Sequence, residues 1–331
     1  MADFICFDLE GPLSPQDNAY DLMRLFPGGD RIFEVISRYD DLLALEERED
    51  YEPGDTLALI VPFLVLHGIS EEDISALASR AIFTPGAPRL VSWLQGNDWR
   101  VFCISTTYEQ YAIHITQKLG IPNQNVASTP FPLDRLQTTL SGEESELIRR
   151  AEEDIRGMRP GDDDQLIKQR LDEFFGKRLP QTKVGAAMRE VRPVGGRRKV
   201  AALNRFAAAY NQPLARWVVV GDSITDARML QEVDRAGGLA IAFNANEYAL
   251  SPATMSLASR TIDDLTDVLQ AWREGSRAAT RRLVREREKM GGEGDRGHFH
   301  WLADKPADFA EIVEVHQRIR RLVRQEAGKL G

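Results

Sequence analysis

Three short runs of uninterrupted apolar residues, each followed directly or after one glycine by a polar one, constrain this chain more than any other feature. Residues 4–7 (FICF) run into Asp8, residues 101–104 (VFCI) into Ser105, and residues 217–220 (WVVV) into Gly221 and Asp222; residues 239–243 (LAIAF) form a fourth run. Runs this short, rich in β-branched and aromatic residues and lacking polar alternation, suit strands buried on both faces. Helical patterns lie between them, over residues 88–94, 111–119 and 199–210. Strand alternating with helix predicts an α/β fold, a doubly wound parallel sheet. Ligands of open α/β sheets bind outside the carboxyl ends of the strands, so Asp8, Ser105 and Asp222 are expected to converge on one crevice.

A chain of 331 residues is long enough for two domains or for one core with insertions. Its 16 prolines and 25 glycines are ordinary usage, which excludes a collagen-like or disordered protein. The 42 basic against 51 acidic side chains leave a net charge of −9, which argues against a nucleic-acid partner. Cys6 and Cys103 each sit inside an apolar run, as small buried hydrophobes do, and not in a disulfide or zinc pattern. No stretch approaches the roughly 18 uninterrupted apolar residues of a membrane span, and the N-terminus meets an acid before a signal-peptide core can form. The expectation is a cytoplasmic protein with no membrane span.

The core is expected in residues 1–13, 85–125 and 190–265. Residues 14–84 carry helical signals of their own, in IFEVISRYDDLLALEE and, after the break at residues 52–55, in TLALIVPFLVLHG. A structureless loop of that length is improbable in a compact protein, which predicts a helical cap there. Residues 126–189 form a second, mainly helical insertion. Its segment 143–173 holds eleven acidic and six basic residues, a pattern of solvated helices interrupted near residues 159–161. Residues 266–331 read as a C-terminal helical extension with a Gly-rich break over 291–297 and a closing helix near 309–330. These helices offer a surface to a protein partner or to a second copy of the chain.

Four elements carry chemistry. Asp8-Leu9-Glu10-Gly11 places a carboxylate at a strand terminus, a second acid two residues on, and a glycine that permits a tight turn. In that arrangement Asp8 can attack phosphorus and Glu10 can protonate the leaving oxygen, then deprotonate a water. Residues 221–226 (GDSITD) set Asp222 and Asp226 one helical turn apart, able to face a common ion. Oxygen-only ligands at a phosphate site suggest Mg²⁺, which keeps several of its waters. Ser105, followed by Thr106, offers a hydroxyl and backbone N–H groups to a phosphoryl oxygen. The cluster Gly195-Gly196-Arg197-Arg198-Lys199 opens a helix and can supply a cation to balance these charges. Each element alone has a plainer reading, as a turn acid, a helix cap or a solvated basic cluster. Their order along the chain, each acidic or hydroxylic member following a buried strand, favours the site.

With these motifs in this order, the sequence resembles the haloacid-dehalogenase superfamily of aspartate-nucleophile phosphatases and phosphotransferases, on its phosphoserine phosphatase-like branch. The resemblance implies that Asp8 is the nucleophile, Glu10 the acid/base, Ser105 the phosphoryl donor and Lys199 the charge-balancing lysine. Arg197 is the alternative to Lys199 if the register shifts. It further implies Mg²⁺ held by Asp8, Asp222 and the Glu10 backbone carbonyl, with Asp226 in support. Gly11, Thr106 and Arg197 are expected near the phosphate, and Asp17 or Gln16 at the position of the branch's amine-binding acid. Glu10 stands where the commoner pattern has Asp, although DLEG openings occur in this branch. The matching cap helix carries no arginine between Thr56 and His67, so a carboxylate clamp of that branch is missing. Over the N-terminal half, DLEGPLSPQDNAYDL, RYDD and GDTLALIVPFL also look like the family known as subunit R of energy-converting hydrogenase A.

The expected function is therefore a Mg²⁺-dependent phosphomonoesterase acting on a small phosphorylated metabolite through an aspartyl-phosphate. A phosphotransferase with an alcohol acceptor and a catalytically silent assembly or binding subunit remain open alternatives. His298 and His300, in GHFHW, are read as a surface turn with a packing Trp301, His67 as a cap-turn residue, and His114 as a helix residue. The seven basic residues of segment 273–289 are read as a solvated helix face.

Overall fold

The structure is a computed structural model that describes residues 3–46, 48, 50–137, 140–290 and 297–324. The apolar runs form a seven-stranded sheet in the order β3-β2-β1-β4-β5-β6-β7. The strands are β1 (Asp3–Phe7), β2 (Trp99–Tyr108), β3 (Val126–Thr129), β4 (Trp217–Gly221), β5 (Leu239–Phe243), β6 (Met255–Ala258) and β7 (His298–Trp301). All neighbours pair in parallel except β6 and β7. The strand order reverses between β1 and β4, so the crevice of this sheet opens where Asp8 and Asp222 emerge. The class expected from the runs is the one found, a doubly wound, mostly parallel α/β sheet with helical insertions.

Both faces of β1 are buried, as an uninterrupted apolar run requires. Phe4 and Cys6 join a cluster with Phe102, Trp217 and Val219, whereas Ile5 and Phe7 enter the larger cluster on the opposite face. Phe102 is the hub of the first cluster, with ring centroids 4.9 Å from Trp217 and 5.0 Å from Phe206. That packing holds the helix Arg197–Ala209 against the sheet, and with it the end that carries Lys199.

Three elements differ from expectation. Strand β2 runs on to Tyr108, so Ser105 lies inside it; the strand has outrun β1, whose pairing ends at Cys103, and shifts register against β3 between Ile104 and Tyr108. The GHFHW segment is not a turn but edge strand β7, in which Phe299 and Trp301 are buried and His298 and His300 half-buried, the alternation of a strand with one covered face. Strands β3 and β6 are only four residues each, too short to stand out in the sequence. The Gly-rich break falls largely on 291–296, and the end of the closing helix on 325–330, outside the described residues.

Between β1 and β2 lie the helices Asn18–Met23, Gly29–Leu45, Thr56–Leu59, Val61–Leu66 and Glu71–Arg80. The helices after β3, chiefly Gly142–Arg156 and Asp164–Leu171, pack on them. Arg38 holds Asp164 in a two-point ion pair at 3.0 and 2.7 Å, Tyr39 donates to Asp172 at 2.6 Å, and Arg31 donates to the Met158 carbonyl. The His67 Nε2 lies 3.0 Å from Glu152, with its ring stacked on Phe26. The two insertions thus form one helical body over the crevice.

Phe102→Ala should destabilise the protein by about 3–5 kcal/mol, the range for truncating a buried aromatic ring, as measured by denaturant unfolding; a change below about 1 kcal/mol would show that this cluster does not secure the sheet.

Candidate active site

Asp8, immediately after β1, and Asp222 and Asp226, after β4, come together, with a carboxylate oxygen from each within 4.8 Å of the others. All three are buried. Between Asp8 and Asp226 lies the Lys199 ammonium, wholly buried, 2.9 Å from Asp8 Oδ1 and 2.7 Å from Asp226 Oδ1. Burial opposes its charge, but the two carboxylates outweigh that penalty and raise its pKa. Asp226 is fully engaged, since its Oδ2 accepts from the Asp222 and Ser223 backbone N–H groups at 3.0 and 3.2 Å. It therefore shapes the β4 turn and holds Lys199. Asp8 Oδ1 also accepts from the Leu9 N–H at 2.8 Å. Desolvation, with Asp226 next, pushes the Asp8 carboxyl pKa up, against the pull of Lys199.

Gly11 is required where it stands. Its φ of +103° is left-handed, and a Cβ there would run into the Asp222 carboxylate. The Glu10 side chain accepts from the Asn18 N–H at 2.8 Å, and burial, then Asp17, raises its pKa well above the usual carboxylate range. A carboxyl that holds its proton more tightly than usual is suited to protonating a leaving oxygen. Asp17 caps the helix Asn18–Met23 by accepting from Tyr20 N–H and faces the same cavity.

The cavity measures about 100 Å³ and is walled by Asp8, Glu10, Asp222 and Thr106 from the core side and by Asp17, Phe33, Ser37, Asp40, Asp41 and Thr56 from the cap. Asp40 is fixed by Tyr51 and by the Gly54 and Thr56 N–H groups. Burial pushes Asp41 up to about 6. Ser105 is wholly buried beside this cavity, with its Oγ accepting from Thr107 N–H, whereas Thr106 reaches the wall and donates to the Val194 carbonyl.

Of the two basic candidates, the structure brings Lys199 to Asp8 and sends Arg197 elsewhere. Arg197 pairs with Glu52 of the cap through its side chain and backbone N–H, and Arg198 pairs with Asp55. This basic cluster is a latch that holds the cap loop down. Tyr108 adds to it by donating to the Leu57 carbonyl at 2.6 Å.

The sequence reading missed two further residues. Arg320 and Arg324, from the helix Phe309–Arg324, are buried and both reach Asp222 Oδ2, Arg324 at 2.8 Å. Arg320 also donates to the carbonyls of Asp222 and Asn244, and Arg324 to that of Pro15. Their signal is weak, two arginines four apart on an amphipathic helix.

The residues suit a divalent cation. Asp222 Oδ1 is buried and has no hydrogen-bond partner among the described residues, a costly state that a cation beside it would relieve. Around the base of the cavity the carboxyl groups Asp8, Glu10, Asp17, Asp222 and Asp226 outnumber the cations Lys199, Arg320 and Arg324, a surplus of acid that a divalent cation would offset.

No protein-family model matches the chain. Human phosphoserine phosphatase is 30% identical over 149 residues, 43% of this chain and 57% of that protein, so the chain spans little more than half the length of the curated relatives it matches. Among solved structures, a gene product of Archaeoglobus fulgidus is 28% identical, with a TM-score of 0.87 over 100% of this chain and 99% of that one. A substrate-bound phosphoserine phosphatase, 17% identical with a TM-score of 0.50, covers 81% of this chain and 98% of its own and agrees in fold. The likeness to the hydrogenase subunit family rests on the sequence segments alone.

Lys199→Met should cost about 3–5 kcal/mol, because it strands Asp8 and Asp226 as buried, uncompensated carboxylates. Denaturant unfolding at neutral pH measures this, and an unchanged midpoint would mean that Lys199 does not carry that charge balance.

Proposed function

Taking the chain as a member of the haloacid-dehalogenase superfamily on its phosphoserine phosphatase-like side, we propose that it is a Mg²⁺-dependent phosphomonoesterase acting on a small phosphorylated metabolite. The observation that carries this reading is the convergence of Asp8, Lys199, Asp222 and Asp226 at the reversal point of the sheet, under a cap that leaves about 100 Å³. A cavity of that size suits a small molecule.

In this reading a carboxylate oxygen of Asp8 attacks phosphorus, forming an acyl-phosphate bond as the phosphorus–oxygen ester bond breaks. Glu10, held near the cavity by Asn18 N–H, gives its proton to the departing oxygen. It then takes a proton from a water whose oxygen attacks the same phosphorus, releasing phosphate and restoring Asp8. Lys199 stays protonated throughout and keeps Asp8 oriented. Thr106, on the cavity wall, would turn its hydroxyl from the Val194 carbonyl to a phosphoryl oxygen. Asp8 and Asp222, with the Glu10 carbonyl, would hold Mg²⁺, which supplies positive charge against the phosphate. The cap, latched by Arg197 and Arg198, keeps bulk water from the acyl-phosphate.

A panel of phosphorylated metabolites, including phosphoserine and an aryl phosphate, should show hydrolysis that requires Mg²⁺ and falls on the order of 10⁴-fold in Asp8→Asn. Full activity in that variant would remove the covalent mechanism. Adding alcohols to the same assays separates transfer from hydrolysis, since a transferase yields a new phosphoester.

Glu10→Gln should lower turnover of alkyl phosphates far more than of aryl phosphates, whose leaving groups need little protonation. Equal losses for both would place the proton donor elsewhere.

A further inference from the structure

The helix Phe309–Arg324 sends two guanidiniums to one oxygen of a carboxylate about a hundred residues earlier in the chain. Both contact Asp222 Oδ2, and both line the cavity; the other oxygen of the same carboxylate, Oδ1, is buried and has no partner among the described residues. Asp222 is therefore divided, with one oxygen given to the C-terminal helix and one left for a cation to engage. From this geometry we infer that Arg320 and Arg324 compete with the cation for Asp222, so that the C-terminal helix sets the cation affinity of the site. The inference rests on the metal-dependent reading above and adds a positioning role for two residues outside the four sequence motifs.

The physical argument is electrostatic. Two charge-assisted hydrogen bonds draw electron density and negative potential away from the carboxylate that the cation needs. The guanidiniums also place two positive charges beside a dication in a buried site, where screening by water is weak. Arginine cannot relieve that repulsion by losing a proton. The helix is anchored independently of Asp222, since His316 Nδ1 accepts from Ala245 N–H at 2.9 Å and Arg324 donates to Pro15. It can therefore give up part of its hold on Asp222 without leaving the core. Coupling between two ligands of one group is reciprocal: if the arginines weaken cation binding, the cation loosens the end of the helix to the same extent.

The test uses the full chain and Mn²⁺ alone, whose free-ion electron paramagnetic resonance signal disappears on binding. Arg324→Gln should tighten Mn²⁺ binding about tenfold, within the range of coupled sites, and Arg320→Gln should act in the same direction. Arg324→Lys, which keeps the charge, should stay within about threefold of the parent protein, an outcome that lost packing would not produce. Hydrogen exchange on the parent protein is the second readout and needs no variant to fold: amides of residues 309–324 should exchange faster when Mn²⁺ is added. Mn²⁺ binding that is unchanged or weaker in folded Arg324→Gln, or slower exchange in the helix with Mn²⁺, overturns the inference. Asp222→Asn separates the two readings. If it binds Mn²⁺ as the parent does, or the parent binds none, the metal-dependent reading itself fails; if it abolishes binding while Arg324→Gln changes nothing, only the competition fails.

Discussion

A buried ammonium organises this protein. Lys199 has no exposed surface and lies within 3 Å of both Asp8 and Asp226. A charge so placed is tolerable only because two carboxylates meet it, and those carboxylates are tolerable only because it is there. The three come from three separate segments, the ends of β1 and β4 and the first turn of the helix Arg197–Ala209. Any arrangement that separates them leaves an unpaired buried charge, so the site and the register of the central strands enforce one another. The same economy extends outward, with Asp226 also closing the turn after β4 through two backbone N–H groups. A group that looks like part of the chemistry is also what gives the turn its shape.

Above this base the helical body serves two ends. Its own cohesion comes from pairs that join the two insertions, such as Arg38 with Asp164 and Tyr39 with Asp172. Its docking onto the core combines a continuous apolar cluster, to which Phe33, Phe63 and Ile74 of the cap and Ile5, Phe7 and Ile115 of the core all belong, with polar contacts near the crevice, Glu52 with Arg197, Asp55 with Arg198, and Leu57 with Tyr108. The apolar cluster seats the cap on the core, and the polar contacts fix the loop nearest the crevice.

The cavity between them is rich in acid, with Asp17, Asp40 and Asp41 added to the central carboxylates. An anionic substrate enters such a space only against positive charge brought from elsewhere. Lys199 supplies one cation from below, and Arg320 and Arg324 supply two from the side. The part of the chain farthest in sequence from the nucleophile is therefore joined electrostatically to the centre of the site, and segment 309–324 is a component of the site as well as an extension of the fold.

Much of this was legible in the amino-acid sequence. Unbroken apolar runs can be covered only on both faces, so FICF, VFCI and WVVV determined a parallel sheet, and the residues that follow them determined where Asp8 and Asp222 emerge. Local rules also marked the turn at Gly11, where only glycine accepts the backbone and the approach of Asp222. Other features depended on distant partners and carried no local mark. Which of Arg197 and Lys199 turns inward depends on the rotation of their helix against the sheet, fixed by Phe102 and Trp217 packing. That GHFHW is a strand depends on β6 being there to pair with it. That Arg320 and Arg324 belong to the site depends on a helix some hundred residues beyond Asp222 folding back onto it. Sequence determines what local backbone and hydrophobic patterning dictate, whereas charges meeting across the fold are decided by tertiary packing, because an ion pair requires proximity in space and none along the chain.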